Sequence, residues 1–286
     1  MTVQLAARSL PPAIHASLHQ ADGAQVLHVF EHVVNLVAGD KVLSLVTPKI
    51  GNGPFNIVLP DLNFKQHISP SNTLTVRPNA LHIGNLVIDL APAALWNPRP
   101  NWPRLRLEHA RLRAQIPVIR AVLQQHAPAN SWASLIVDLP TTPRSNLDTR
   151  IIKLAQQQWK NLYEALIKLD QAKCAESARH LVGLGNGLTP SGDDWLVGCG
   201  LAAQLNWPSP EAASLLLETI ALTAPGTTRL SATWLQAAAD GMCSEHWHRL
   251  FEAALDDVFQ AALRIIEQGH SSGADALAGY LAMIPN

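Results

Sequence analysis

The stretch that decides the C-terminal part of the fold is residues 183–200, which read GLGNGLTPSGDDWLVGCG. Glycines, hydroxyl side chains and two adjacent carboxylates come directly before an apolar run that predicts a helix to about Gln204. Ser191 is the predicted N-cap of this helix, and Asp194 three residues later completes a capping-box pattern. Because these glycines allow a ligand to approach the backbone closely, we place the candidate active site here.

A second copy of part of this stretch occurs near the C-terminus. Residues 191–198 (SGDDWLVG) and 272–279 (SGADALAG) share the pattern SGxDxLxG and lie 81 residues apart. In each copy the second glycine follows the serine by seven residues, two turns along one helix face, where a missing side chain lets two helices approach closely. We expect the two helix starts to face one pocket, where paired N-termini favour a small anion such as phosphate or carboxylate. The alternative is two unrelated capped helices.

The composition sets the class of protein. The 286 residues are 48% hydrophobic, enough for one large or two modest globular domains. The three cysteines lack metal-ligand spacing and the N-terminus lacks a signal-peptide apolar run, so we expect a cytoplasmic chain with reduced thiols. No apolar run approaches the roughly 20 residues that span a bilayer, so we expect no membrane partner.

The net charge of −1 conceals two unlike halves. Residues 1–150 carry 13 basic and 8 acidic side chains, whereas residues 151–286 carry 8 and 14. Much of the positive excess comes from arginines between Arg99 and Arg120. They have neither aromatic interleaving nor a nucleic-acid motif, so we interpret them as a solvated helix face and expect no nucleic-acid partner.

The hydrophobic pattern predicts an α+β protein of two domains. Residues 1–96 contain short β-branched runs separated by Pro, Gly and Asn, which predicts a β-rich barrel or sandwich domain. One run over residues 26–37 and another over residues 41–46 are joined by Ala38-Gly39-Asp40, which is typical of a hairpin. Three prolines within residues 97–103 mark the domain boundary.

After this boundary the hydrophobic period becomes that of helices, so residues 104–286 are predicted to form an α-helical domain that carries the GLTPSGDD motif. A proline at position 117 predicts a kink in the first of these helices. The predicted helices cover residues 104–125, 147–169, 172–181, 190–204, 211–223, 230–240, 245–268 and 273–283.

A third polar helix start, TTRLS, lies between the two repeats at residues 227–231. Thr228 is the predicted N-cap, and Thr227 or Ser231 is a candidate donor to an oxyanion. Arg229 presents a planar fork that binds phosphate or carboxylate through two hydrogen bonds. His270 is a candidate donor or proton carrier, with a surface histidine as the alternative.

Two candidates lie in the β-rich half. Asn35 interrupts an apolar run, which indicates either a structural bridge or a ligand contact. Gly53 belongs to a Gly-Asn-Gly-Pro loop, which indicates either turn chemistry or a ligand contact. The glycines at residues 183–187 do not match GxGxxG in a βαβ context and no P-loop lysine is present, so we expect no nucleotide or organic cofactor.

Three motifs in this order, GNGLTPSGDDWLVG, TTRLSATWLQAAADG and GHSSGADALAG, follow a half that contains VVNL and GNGPFNI. Together they resemble the allantoin-catabolism H-type family, over about residues 25–284. Proteins of that family are implicated as one component of a multi-subunit oxamate carbamoyltransferase, which converts oxalurate and phosphate to oxamate and carbamoyl phosphate. The resemblance therefore implies partner subunits and small anionic substrates.

This reaction fits the residue types identified above. Phosphorolysis brings together phosphate, a carboxylate-bearing substrate and a developing oxyanion, which helix N-termini, hydroxyls and an arginine can bind. The predicted catalytic residues are Asp193, Asp194 and His270, and a Mg²⁺ ion between Asp193 and Asp194 would screen the phosphate. Asp193 is the stronger functional candidate, because Asp194 has the capping alternative. The predicted substrate-binding residues are Asn35, Gly53, Asn186, Gly187, Thr189, Ser191, Gly192, Thr227, Thr228, Arg229, Ser231, Ser271, Ser272, Gly273 and Asp275.

Two other classes of protein fit the same residues. A small-anion-binding regulatory protein would use these helix starts without turnover, and a structural subunit would have its pocket completed by partner chains.

Overall fold

The computed structural model describes residues 2–139 and 146–284. The chain divides into two compact units, Met1–Pro98 and Arg99–Asn286. The first unit is rich in strands and the second is helical, which confirms the predicted α+β class. No helix in the described ranges is long and apolar enough to cross a membrane.

The first unit contains two β-sheets. The four-stranded sheet has the strand order β1-β9-β8-β7 and the six-stranded sheet the order β10-β2-β6-β5-β4-β3. The elements are β1 (Val3–Ala6), β2 (Ser9–Leu10), α1 (Pro12–Ser17), β3 (Gln25–Val29), β4 (Val33–Ala38), β5 (Lys41–Val46), β6 (Asn56–Val58), β7 (Thr75–Arg77), β8 (Ala80–Ile83), β9 (Leu86–Asp89) and β10 (Ala94–Leu95).

One hydrophobic core joins the two sheets. Leu36 and Leu45 of the six-stranded sheet and Leu81 and Ile88 of the four-stranded sheet are fully buried members of that core. This arrangement corresponds to the sandwich alternative, in which inward-facing side chains of two sheets interdigitate.

The predicted hairpin is confirmed, because β4 and β5 pair in antiparallel register from Ala38 opposite Lys41. Gly39 in its turn has a φ of 62°, which glycine adopts without strain. The single run predicted over residues 26–37 is two strands, β3 and β4, which pair with each other. The strands β2 and β10 were missed, because two residues are too few to show an alternating pattern.

The second unit is an array of helices. The described helices are α2 (Trp102–Leu107), α3 (His109–His126), α4 (Asn146–Ile167), α5 (Gln171–Leu181), α6 (Ser191–Ala203), α7 (Pro210–Thr223), α8 (Arg229–Ala239), α9 (Glu245–Glu252), α10 (Val258–Ile266) and α11 (Ser272–Ala282).

Two predicted long helices are each divided. The helix predicted over residues 104–125 is α2 and α3, with Glu108 outside helical geometry between them, and the proline at position 117 lies inside α3. The helix predicted over residues 245–268 is α9 and α10. Extended backbone at Ala253 ends α9, where the Ala253 carbonyl accepts hydrogen bonds from Arg111 (3.2 Å) and Gln115 (3.0 Å) of α3. Tertiary hydrogen bonds therefore stabilise this helix end in place of another helical turn.

Helix α6 lies at the centre of the helical unit. Trp195, Leu196 and Cys199 are fully buried, and the ring centroid of Trp195 lies 6.0 Å from that of Trp132 and 5.5 Å from that of Trp159. A helix that is buried on nearly every side carries no polar stripe, and beyond its first turn, over residues 195–203, α6 has only apolar residues. The residues at its N-terminus are therefore held by a packed core.

Candidate functional site

Helices α6 and α11 pack backbone against backbone at the repeated glycines. A Cβ atom on Gly198 would lie 1.7 Å from the Ala276 carbonyl oxygen, and one on Gly279 would lie 2.0 Å from the Trp195 carbonyl oxygen. The repeat spacing relates Trp195 to Ala276 and Gly198 to Gly279, so the two contacts are reciprocal. The second glycine of each copy is thus the point of close approach, as the sequence predicted.

The first glycine of each copy has a matching role. A Cβ on Gly192 would lie 2.0 Å from the carbonyl oxygen of Leu181, and one on Gly273 would lie 1.7 Å from that of Ile265. Leu181 ends α5 and Ile265 lies in the last turn of α10, so each glycine packs against the preceding helix. The repeat is therefore a helix–loop–helix unit that occurs twice, as α5–α6 and as α10–α11.

The starts of α6 and α11 lie side by side. The Thr189 and Ser272 hydroxyl oxygens are 2.8 Å apart and share a hydrogen bond. The Ser272 hydroxyl is a hydrogen-bond donor beside the Asp194 carboxyl, and the Ser191 hydroxyl is a hydrogen-bond donor beside the Asp275 carboxyl. The structure therefore brings the two helix starts together, as predicted, and rules out two unrelated caps.

The start of α8 joins this pair through the glycine loop. The Thr227 hydroxyl donates to Asp193 Oδ2 over 2.6 Å, and the Thr228 hydroxyl donates to the Leu188 carbonyl over 2.9 Å. Thr228 also accepts a hydrogen bond from the Ser231 backbone N–H at 3.2 Å, which confirms it as the N-cap of α8. We call residues 183–194, 227–231 and 270–275 together the helix-start cluster.

The predicted capping box is wrong. Helix α6 begins at Ser191 with Pro190 as its N-cap, and α11 has Ser271 as its N-cap, in both cases without a side-chain cap. The Asp194 backbone N–H, which a Ser191 cap would bind, instead donates to the Pro190 carbonyl over 3.2 Å. The Ser191 hydroxyl is engaged by Asp275 of α11, so the helix start is held by tertiary contacts in place of a local cap.

Asp193 bridges the glycine loop and α8. Its Oδ1 accepts from the Gly183 N–H over 2.8 Å and its Oδ2 accepts from Thr227, while the residue is only 1% exposed. Burial raises the pKa of this carboxyl, and hydrogen bonds from Thr227, Gly183 and Ser231 oppose that rise. The carboxylate therefore stabilises the loop against the start of α8.

The hydrogen bonds of Asp193 compete with the predicted binding of a Mg²⁺ ion by this carboxylate. Both oxygens of Asp193 already accept hydrogen bonds from the chain. Within the described ranges no three His, Cys, Asp or Glu side chains are placed to hold a metal ion. Mg²⁺ demands several oxygen ligands in near-octahedral geometry, so Asp193 and Asp194 fit a shared ion poorly.

Asp194 and Asp275 form a buried carboxyl pair at the shared helix starts. Asp194 is 9% exposed and Asp275 is 0% exposed. Asp275 Oδ1 accepts from the Trp132 backbone N–H over 2.6 Å. The Oδ2 atom of each aspartate accepts no hydrogen bond of good geometry from any described residue.

Burial dominates the electrostatics of this pair. Burial raises the pKa of Asp194 well above its usual value and the negative charge of Asp275 raises it further, while the Ser272 and Thr189 hydroxyls oppose the rise. Burial also raises the pKa of Asp275 to about 7, against the hydrogen bonds of Trp132, Ser191 and Ser271. Trp132 was not among the predicted site residues, because it precedes its partner Asp275 by 143 residues and belongs to no local motif.

The outer surface of the cluster consists of exposed residues. Asn186, Gly187, Arg229 and His270 are all exposed. Gly187 has a φ of 98° with open space around its Cα, a backbone that favours glycine. Arg229 is the first residue of α8, so its side chain starts beside the N-terminus of that helix.

The remaining predicted residues, Asn35 and Gly53, belong to the first unit. Asn35 is buried on β4, and its Oδ1 accepts from the Ser44 hydroxyl over 2.7 Å. A Cβ on Gly53 would lie 2.6 Å from Asn56 Nδ2, so the glycine leaves room for that side chain. Both residues have structural partners in their own unit, and their role in ligand binding stays a prediction.

Comparison with known families agrees with this two-part architecture. Residues 6–95 match the AllH family N-terminal domain, and residues 181–284 match the family described as oxamate carbamoyltransferase subunit AllH. These matches define a carbamoyltransferase-related subunit of allantoin catabolism. The chain belongs to the AllH family. The second match includes all three parts of the helix-start cluster, and no solved structure matches the chain.

Proposed function

We propose that this chain is the subunit of a hetero-oligomeric oxamate carbamoyltransferase that binds phosphate and a small carboxylate at the helix-start cluster. The reaction would be phosphorolysis of oxalurate to oxamate and carbamoyl phosphate. The observation that carries the proposal is the meeting of three helix starts, those of α6, α8 and α11, around one glycine loop. The family description supplies the class of enzyme.

The electrostatics of the cluster are compatible with an anion. Each helix N-terminus carries about half a positive charge, and Arg229 adds a full charge at the start of α8. The buried carboxyls of Asp194 and Asp275 have raised pKa values, so they oppose an anion less than two ionised aspartates would. The third aspartate, Asp193, has its charge compensated by two hydrogen bonds.

The proposed chemistry needs no nucleophilic side chain. A phosphate oxygen attacks the carbamoyl carbon, and the bond from that carbon to the oxamate nitrogen breaks. The protein aligns the two substrates and stabilises the developing oxyanion, which is positioning and electrostatic work. The hydroxyls of Thr189 and Ser272 and the fork of Arg229 are the groups assigned to these tasks.

Ligand binding to the full chain tests the proposal. Calorimetric titrations with phosphate, oxamate, oxalurate and carbamoyl phosphate should show saturable binding of phosphate. Arg229→Ala should weaken phosphate affinity by about tenfold and reduce its dependence on salt. Arg249→Ala, which removes an exposed arginine of α9 outside the cluster, is the matched control and should change neither quantity.

The results of these titrations also distinguish an enzyme subunit from a regulatory anion-binding protein. Equal affinities in the two arginine variants would remove Arg229 from the site, and absence of binding by all four ligands would refute the proposal. Binding without turnover in the assembly with partner subunits would favour a regulatory protein.

A further inference from the structure

Asp194 and Asp275 are equivalent residues of the two repeat copies, and each lies beside the first serine of the opposite helix. Both are at least nine-tenths buried, and each has one oxygen without a partner among the described residues. The charged side chains close enough to Asp194 to affect its pKa are Asp275 and Asp193, and both are acidic, so both repel a negative charge on Asp194. Two neighbouring carboxylates in such a place cannot both stay ionised without great cost.

We propose that Asp194 and Asp275 share a proton and act as the acid–base pair of the carbamoyl transfer, exchanging that proton with the substrates through the Ser272 and Thr189 hydroxyls. This assignment rests on the proposed function of the helix-start cluster.

A proton fits this site better than a metal ion does. Within residues 2–139 and 146–284 no third His, Cys, Asp or Glu side chain joins the two carboxyls in a group that could hold a metal ion. The N-termini of α6 and α11 disfavour a cation, whereas a neutral carboxyl group removes the repulsion without one. A proton also supplies the donor that the unpartnered oxygens lack and requires no cavity.

A chain of hydroxyls leads from the buried pair to partly exposed residues of the cluster. Ser272 lies beside Asp194, and its Oγ is 2.8 Å from Thr189 Oγ1. Thr189 and Ser272 are both partly exposed, whereas the carboxyls are buried. A hydroxyl both donates and accepts, so a proton can pass between Asp194 and a bound substrate without contact between the two.

The transfer balances within the two substrates. An oxygen of hydrogenphosphate forms a bond to the carbamoyl carbon, and the bond between that carbon and the oxamate nitrogen breaks with its electron pair on nitrogen. The pair gives its stored proton to this nitrogen and takes up the proton that hydrogenphosphate loses. The pair therefore ends each turnover as it began, and no further reactant is required.

The raised pKa values of the two carboxyls support this role. The pKa of Asp275 is about 7 and that of Asp194 is raised well above its usual value, in both cases chiefly because of burial. An acid–base group works best when its pKa lies near the pH at which the enzyme operates.

Infrared spectroscopy of the full chain tests the shared proton without any assay of activity. The wild-type protein should show the carbonyl band of a protonated carboxylic acid at pH 7. Asp194→Asn and Asp275→Asn should each weaken that band. Asp170→Asn should leave it unchanged, because hydrogen bonds of Lys173 lower the pKa of Asp170 and keep it ionised. A wild-type spectrum without the band would overturn the shared proton.

Turnover by the assembly with partner subunits tests the acid–base role. Asp194→Asn and Asp275→Asn should lower kcat by about 100-fold or more, while the KM for phosphate changes by less than about threefold. An unchanged kcat in either variant would overturn the acid–base role. If the wild-type assembly shows no turnover, the proposed function fails, and the infrared band still decides whether the proton is shared.

Discussion

Replacing Gly198 by alanine should destabilise the helical unit, because this glycine is where α6 touches α11. The new Cβ would lie 1.7 Å from the Ala276 carbonyl oxygen and 2.7 Å from both the Ala276 carbonyl carbon and the Tyr280 nitrogen. Favourable nonbonded contacts to carbon lie at about 3.5 Å or more, so the helices must separate by roughly 1.8 Å. Backbone atoms cannot rotate away as a side chain can.

The expected loss of stability follows from two opposing effects. Overpacking of a core costs about 1–3 kcal/mol and sometimes more. Alanine is a better helix former than glycine by about 1 kcal/mol, which offsets part of that cost. Because the contact is with backbone, we take the upper end of that range or more as the cost, so the net loss for Gly198→Ala should be at least about 2 kcal/mol. A loss of similar size is expected for Gly279→Ala, whose Cβ would lie 2.0 Å from the Trp195 carbonyl oxygen.

Gly200→Ala is the matched control in the same helix. Its Cβ would lie nearest to two side-chain methyl groups, Ile220 Cδ1 at 3.3 Å and Ala238 Cβ at 3.4 Å, and the Ala238 carbonyl carbon would be at an ordinary van der Waals distance of 3.8 Å. These can yield by a few tenths of an ångström, so the helix preference for alanine should leave stability unchanged or slightly increased. Urea denaturation followed by circular dichroism measures all three variants. Equal stability of Gly198→Ala and Gly200→Ala would refute the close pairing of α6 and α11.

Three further predictions follow from the aspartates of the cluster. The pKa of Asp275 in the folded state, about 7, exceeds the ordinary aspartate value of 3.8, so its contribution to stability is full below about pH 4 and is lost as pH rises to about 7. That loss amounts to roughly 4 kcal/mol in the free energy of unfolding. Asp275→Asn keeps an acceptor for the Trp132 N–H, and it should make the free energy of unfolding less dependent on pH between pH 4 and 8. An unchanged pH dependence in this variant would count against the buried carboxyl as its source. Asp193→Asn should lower the free energy of unfolding measured in urea by about 1–3 kcal/mol, because an amide oxygen can replace only one of the two carboxylate oxygens that accept from Gly183 and Thr227. If the variant keeps full stability but loses Mg²⁺-dependent ligand binding, Asp193 is a metal ligand after all. Millimolar Mg²⁺ should shift the melting temperature no more than NaCl of equal ionic strength does. A rise in Tm that is specific to Mg²⁺ would contradict our conclusion that Asp193 and Asp194 fit a shared ion poorly.

The close pairing of α6 and α11 could be predicted from the sequence because it depends on a period. Gly198 and Gly279 follow their serines at seven residues, and an α-helix returns nearly to the same face at that spacing. Two copies of one pattern therefore predicted two similar helices in contact. The N-cap role of Thr228 was predictable for the same reason, since it depends on local residue order.

The roles of the aspartates could not be predicted, because they depend on distant parts of the chain. The order Ser-x-x-Asp is typical of a capping box, but the Asp194 N–H donates to the Pro190 carbonyl and the Ser191 hydroxyl binds Asp275, 84 residues further on. The partner of Asp275 is Trp132, from a short 3₁₀ turn with no pattern of its own. The helix end at Ala253 likewise depends on Arg111 and Gln115 of α3.

The class of the first domain was predictable, but its details were not. The alternation in β4 and β5 and the glycine turn between them are local, so the hairpin was predicted correctly. The parallel pairing of β1 with β9 joins the two ends of the domain and has no local sign in the sequence. Such long-range pairing is selected by the shared core of the two sheets.

The central claim is that phosphate binds where the starts of α6, α8 and α11 meet. The most direct measurement is a phosphate titration of the ¹⁵N-labelled full chain followed by the backbone amide resonances, with oxamate as the second ligand. We predict saturable shifts within the helix-start cluster, largest for Ser191, Gly192, Arg229, Ser272 and Gly273. Saturable shifts that leave out the cluster, or none in the cluster with either ligand, would contradict the claim.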